Sequence, residues 1–261
     1  MPFSFTNSPT LVAYVTCGDP GLDTTREIVL AAIDAGAKVI ELGVPFSDPV
    51  ADGPVIQRAS ERALRRRTSV ADVLSLASEV RRQSEAGLII FSYLNPILRL
   101  GVGKFSAAAQ DAGVDGALIT DLPVEEAGDY LRHMRSRNLA TIFLAAPTSP
   151  NARLKRIVHA STGFVYAVSR TGVTGARKPL TDDARELVRR LRKFTRLPIA
   201  VGFGISTPEQ FAAVGKFADA AVVGSAIVEV IERNPGKEAY AVAGFIRRLR
   251  AVDDQSSAVG L

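Results

Sequence analysis

The sequence predicts an α/β protein, a single-domain (β/α)8 barrel of the TIM type, on three observations. Eight short apolar runs recur along the 261 residues, each followed by a turn and then a helical pattern. Most of the runs are continuously apolar rather than alternating, the mark of strands covered on both faces, as in a parallel sheet. Most successive runs start roughly 25 residues apart, and eight strand–helix units of that size suit one closed barrel. The other candidate, a doubly wound open sheet, should carry a G-x-G-x-x-G fingerprint after its first strand. The first turn here reads TCGDPG and lacks that spacing.

In chain order, MPFSFTNSPT (1–10) is a short lead-in and LVAYVT (11–16) the first strand. DTTREIVLAAIDAG (23–36) is its helix, with Ile28, Leu30, Ala31 and Ile33 on the apolar side. Asp23, Thr24 and Thr25 are its N-cap candidates and Gly36 its C-terminal stop. KVIELG (38–43), GLIIFS (87–92), GALIT (116–120), ATIFLA (140–145), FVYAVS (164–169), PIAVGF (198–203) and DAAVVG (219–224) are the second to eighth strands. PVEEAGDYLRHMRSRN and TDDARELVRRLRKF repeat the amphipathic design, and KEAYAVAGFIRRLR follows the eighth strand. DDQSSAVGL (253–261) reads as a disordered tail. Two gaps are long: 49 residues from Lys38 to Gly87 and 34 from Phe164 to Pro198. They hold ELGVPFSDPVADGP and SRTGVTGARKPL, and in a barrel both leave the C-terminal strand ends, where active sites are built.

Composition closes off several function classes. The net charge of +5 comes with arginines at helical spacing: Arg62, Arg65, Arg66 and Arg67; Arg189, Arg190, Arg192 and Lys193; Arg247, Arg248 and Arg250. Interleaved with Leu, Val and Ala and without an aromatic stacking surface, they read as solvated helix faces rather than a nucleic-acid interface. No apolar run reaches the ~18 residues of a membrane span, and the first ten residues lack the basic start and apolar core of a signal peptide. The single cysteine, Cys17, cannot form an internal disulfide and points to a reducing, cytoplasmic setting.

The chemistry-bearing residues sit at the predicted strand ends. GFG (202–204) follows the seventh strand and GSA (224–226) the eighth, opening a helix. Gly204, Gly224 and Ser225 thus offer backbone amides and a hydroxyl where barrels of this kind bind phosphate. The sixth loop, with Arg170, Arg177 and Lys178, has the composition of a closing lid. Glu41 ends the second strand. Alternation turns Val39 and Glu41 inward and leaves Ile40 and Leu42 for the helix layer. A carboxyl inside the barrel is desolvated, which lifts its pKa toward values useful for proton transfer. Asp52 lies in a loop braced by Pro45, Pro49 and Pro54, and two carboxyls in different environments can divide acid and base roles. Asp48 stays open between a turn former and a working acid. No lysine is placed for a Schiff base, since Lys38 starts its strand at the wrong end. The only histidines, His133 and His159, fall in helices and cannot build a zinc site. The residues imply cofactor-free, metal-free acid–base chemistry on a small phosphorylated substrate.

ELGVPFSDPVADGP, in order with YVTCGDP (14–20), YLNPIL (93–98), DLPVEE (121–126), YAVSRTGVTG (166–175), GFGIS (202–206) and VGSAIV (223–228), resembles the tryptophan synthase alpha subunit family over nearly the whole chain. The resemblance implies retro-aldol cleavage of indole-3-glycerol phosphate to indole and glyceraldehyde 3-phosphate. By motif, Glu41 matches the acid–base glutamate and Asp52 the aspartate that accepts the indole N–H. Tyr166 matches the pocket tyrosine, Thr174 the loop threonine that contacts the catalytic aspartate, and Phe203 and Tyr14 the indole-pocket lining. Gly175, Gly204, Gly224 and Ser225 match the phosphate binders. A beta subunit in an alpha2beta2 tetramer is the implied partner, with Asp48, Pro49 and Asn95 near its interface. The chain departs from the family in having no helical pattern in its lead-in, Tyr14 where phenylalanine is common, and Cys17 where a small residue is usual. A stand-alone lyase releasing free indole and a non-catalytic phosphate-binding barrel are the alternatives.

Overall fold

The structure, a computed structural model, describes Phe5 and residues 9–168, 180–202 and 204–257, the side chains of 180, 181 and 252–257 excepted. Eight parallel strands close into a barrel in sequential order: β1 (Thr10–Thr16), β2 (Val39–Gly43), β3 (Gly87–Ser92), β4 (Gly116–Ile119), β5 (Ala140–Ala145), β6 (Val165–Val168), β7 (Ile199–Gly202) and β8 (Ala220–Val223). The predicted runs are these strands to within two residues. The barrel closes where Val12 of β1 is paired with Val222 of β8.

The outer layer is α1 (Leu22–Asp34), α2 (Pro54–Arg65), α3 (Val70–Arg81), α4 (Leu94–Leu100), α5 (Val102–Asp111), α6 (Gly128–Ser136), α7 (Asn151–Ala160), α8 (Leu180–Leu191), α9 (Pro208–Gly215), α10 (Ser225–Arg233) and α11 (Glu238–Ser257). The long gap after β2 therefore holds two helices, and the true loop is Val44 to Gly53. Pro54 at the first helical position, where a missing N–H is harmless, starts α2. A capping box between Ser69 and Asp72 starts α3.

Alternation sorts the strand residues as expected. Ile40 and Leu42 join the large cluster between sheet and helices, while Val12, Val39, Ile89, Leu118 and Ile142 form a separate cluster inside the barrel. Each buried aliphatic side chain contributes roughly 2 kcal/mol. Phe5 reaches that inner cluster and packs edge-on against Phe164, ring centroids 5.6 Å apart.

Three expectations change. The N-cap of α1 is Gly21, not Asp23, Thr24 or Thr25. Thr25 instead accepts the Gly18 N–H (3.1 Å) and donates to Gly21 O (2.7 Å), tying down the loop before the helix. The stretch read as a disordered tail is helical as far as Ser257, because a helix already held against α1 lengthens at little further loss; residues 258–261 lie outside the described residues. Finally, some arginines read as solvated are fasteners. Arg62 of α2 grips the buried Asp19 with two 2.8 Å bonds and Glu232 of α10 with a third. Arg190 donates to the carbonyls of Pro147 and Ser149, and Arg192 to Leu197 O. The long arginine stem lies on apolar surface while its planar head finds carbonyls and carboxylates, so helical spacing alone cannot separate the two roles.

Candidate active site

A cavity of about 290 Å³ opens at the C-terminal strand ends. It gathers Tyr14, Glu41, Asp52, Tyr166, Gly204, Gly224 and Ser225, seven residues singled out from sequence, together with Phe91, Ile56, Ser206 and Glu229. Thr174, Gly175 and Phe203 lie outside the described residues. Asp48, Pro49 and Asn95 do not line this cavity. Asp48 and Asn95 are exposed and Pro49 half-buried, with Val50 beside them 86% exposed.

Glu41 and Tyr14 are register partners on β2 and β1, so their side chains point into the barrel side by side. Glu41 is 1% exposed and, among the described residues, neither carboxyl oxygen has a hydrogen-bond partner. Burial alone pushes its pKa to about 8. A carboxyl left unpaired at this depth is held in its neutral form and has both oxygens available to a ligand.

Asp52 is placed differently. A short turn, Asp52 N–H to Pro49 O at 3.0 Å, sets its backbone, and Gln57 Nε2 caps its carbonyl at 2.9 Å. Its carboxyl is partly buried, which raises the pKa to about 6, and the nearby Tyr93 hydroxyl opposes the rise. The two acids thus differ by environment: Glu41 protonated and Asp52 ionised near neutrality. Burial, with help from these carboxyls, also keeps the Tyr14 and Tyr166 phenols neutral.

The tyrosines fit because two strand residues lack side chains. A Cβ on Gly43 would lie 2.4 Å from the Tyr14 hydroxyl, and one on Gly202 2.0 Å from that of Tyr166. Tyr14 also packs edge-on against Phe91 at 5.1 Å. At the opposite end, α10 opens at Ser225 with Gly224 as its N-cap, and Gly204 adopts φ +76, a left-handed conformation. The first amides of a helix have no partner within it and attract anions.

Residues 3–257 match the family model described as tryptophan synthase alpha chain. The alpha chain of Solibacter usitatus is 50% identical over 246 residues, 94% of this chain and 92% of its own length. That of Neisseria meningitidis is 44% identical, covering 92% of each chain. The chain belongs to the tryptophan synthase alpha chain family. The solved tryptophan synthase complex from Pyrococcus furiosus agrees, at 37% identity and TM-score 0.85 over 94% of this chain and 98% of that one. So does the alpha subunit from Legionella pneumophila, at 35% identity and TM-score 0.87 over 95% and 93%. As an alpha chain it is a lyase acting on indole-3-glycerol phosphate in tryptophan biosynthesis.

Phe91 in the cavity of this alpha chain and Tyr93 behind the neighbouring loop are among the residues that escaped the sequence reading. Phe91 was within reach, because Ile89 and Phe91 alternate with the outward Leu88 and Ile90 on β3. Tyr93 stands in the quoted YLNPIL segment, but its hydroxyl accepts the Ala51 N–H of the β2–α2 loop from a different strand end, and nothing local to either segment announces the contact.

Proposed function

We propose that Glu41 and Asp52 divide the proton transfers of indole-3-glycerol phosphate cleavage. Protonated Glu41 gives its proton to indole C3 while ionised Asp52 takes the N1 proton, forming the indolenine tautomer. The Glu41 carboxylate then removes the proton of the hydroxyl on the carbon attached to C3. The bond between that carbon and C3 breaks, its electron pair returns to the ring, and Asp52 restores the N1 proton. Indole and glyceraldehyde 3-phosphate result, and both acids end as they began. Tyr14, Tyr166 and Phe203 line the indole end. Gly175, Gly204, Gly224 and Ser225 hold the phosphate, and Thr174 meets Asp52 when the sixth loop closes.

The observation that carries this reading is one cavity in which Glu41 is buried without a partner while Asp52 is only partly buried, two environments that push the two carboxyls apart. It predicts a bell-shaped kcat/KM profile, its acid limb near the Asp52 value of about 6 and its alkaline limb near the Glu41 value of about 8. A profile flat across that range would sink the assignment.

The beta subunit is the partner, in an alpha2beta2 tetramer, with Asp48, Pro49 and Asn95 facing it. Support comes from the exposure of Asp48 and Asn95 and from the Pyrococcus furiosus complex. Indole release with and without a beta subunit separates this from a stand-alone lyase. Among the described residues no helix is long and apolar enough to cross a membrane, and the buried thiol of Cys17 suits the cytoplasm.

A further inference from the structure

We propose that Glu232, near the end of α10, is a positioning residue: by clamping α10 to α2 it fixes how far the Asp52 loop stands from the opening turn of α10, and so selects substrates by the number of carbons between ring and phosphate. The inference deepens the preceding reading and rests on Asp52 serving the indole nitrogen and on Gly224 and Ser225 holding the phosphate.

Both helices start at the cavity. Gly53, the N-cap of α2, follows Asp52 directly, and α10 opens at Ser225 behind Gly224. Ile56 on the first turn of α2 and Glu229 on α10 line the same chamber. Farther along, Ala59 of α2 and Val228 of α10 are buried in one small cluster with Tyr14. That contact is apolar, and apolar burial has no direction, so it holds the helices together without fixing their rotation or slide. Direction comes from one carboxylate. Arg58 is forked onto Glu232, Nε to Oε1 at 2.9 Å and Nη2 to Oε2 at 2.6 Å, and Arg62 Nη1 adds a third bond to Oε1 at 2.7 Å. Arg62 turns its other donors, Nε and Nη2, to Asp19 in the loop that follows β1. The linkage therefore runs from the barrel through Asp19 and Arg62 to α2, and through Glu232 to α10.

A lone ion pair on a half-exposed surface would fix little, because screening and side-chain entropy cancel most of its attraction. This cluster differs in two respects. Both arginines use planar forks, which constrain angle as well as distance. Asp19 is also 3% exposed, so Arg62 cannot release it without leaving a buried charge unpaired. Arg62 is thereby a fixed post, and Glu232 ties α10 to it. The neighbouring acid, Glu229, pairs with Arg233 of its own helix at 2.5 Å. Among the described residues, Glu232 is the one acid of α10 that bonds to α2. A helix free to slide by an ångström would blur the match between ligand and chamber, and misplacements of that size cost on the order of 100-fold in rate.

The test is a series of indol-3-yl-alkyl phosphates with two, three, four or five carbons between ring and phosphate. Each is measured as a competitive inhibitor of indole-3-glycerol phosphate cleavage, with the chain saturated by a beta subunit. The wild type should bind the three-carbon ligand, which matches the glycerol chain of the substrate, about 10-fold more tightly than its neighbours. Glu232→Ala should flatten that preference to about 2-fold or less and lower kcat. Glu232→Gln, which keeps one acceptor for the arginines, should fall between. A merely structural residue would weaken all four ligands alike. Uniform weakening, or an unchanged preference in both variants, overturns the proposal, and if Glu232→Ala does not fold, the preference of Glu232→Gln decides alone. A wild type with no chain-length preference would instead remove the assignment of the two cavity ends, and this inference with it, so the two failures are distinguishable.

Discussion

On the proposed assignment, the two ends of the cavity are built from opposite materials. The proton-transfer end uses side chains, Glu41 and Asp52, held where water would not leave them. The phosphate end uses backbone: Gly204, Gly224 and the opening turn of α10, with only the Ser225 hydroxyl added. The acid end depends on which side chains are present, and the phosphate end on which are absent. Substitutions at the first should therefore strike turnover, and at the second affinity.

The largest expected effect is at the acid end. Glu41→Gln and Asp52→Asn should each lower indole formation by a factor of about a thousand or more, with circular dichroism unchanged. Near-normal turnover in either would break the contrast at once. Next comes a position where absence serves the acid end. Gly202→Ala puts a methyl on the Tyr166 ring, so that ring must shift within the cavity; a loss of about 1–3 kcal/mol in denaturant unfolding and a marked fall in turnover are expected. Unaltered stability would mean that Tyr166 moves freely.

The third effect concerns stability. The Glu41 pKa of about 8 in the fold stands above its unfolded value of 4.5, so the native state binds the extra proton. That contribution is complete below the unfolded value and is lost as pH rises through the folded one. The wild type should thus lose about 1.4 kcal/mol per pH unit across that window from this group. Glu41→Gln should lack this slope and become the more stable protein in alkali, as measured by urea unfolding at several pH values. Parallel curves would show that Glu41 is not buried neutral. The smallest effect is at the phosphate end: Ser225→Ala should raise KM about 10-fold, roughly 1.4 kcal/mol, with kcat nearly intact. A fall in kcat at constant KM would erase the distinction between the two ends.

How much of this was legible depends on distance along the chain. The strands were readable because a strand covered on both faces is apolar throughout. Glu41 was readable because one carboxylate breaks such a run at its end. Gly224 and Ser225 were readable because their loop leads straight into a helix. The paired helices after β2 and β3 were not resolved as pairs, since α3, α4 and α5 are short and their boundaries lie in caps rather than in a long periodic stretch. Tyr93 was missed because its partner, the Ala51 amide, is 42 residues earlier, beyond another strand end, and only the fold of the barrel brings them together. The grip of Arg62 on Asp19 and Glu232 was missed for the same reason.

That last cluster bears on how the cavity keeps its length. Arg58 and Arg62, one turn apart on α2, both close on Glu232 near the end of α10. The helix that leaves the Asp52 loop and the helix that opens on the phosphate end are pinned together on the outer wall. The span from indole nitrogen to phosphate is thereby gauged from outside the chamber, like a caliper whose screw never touches the object it measures.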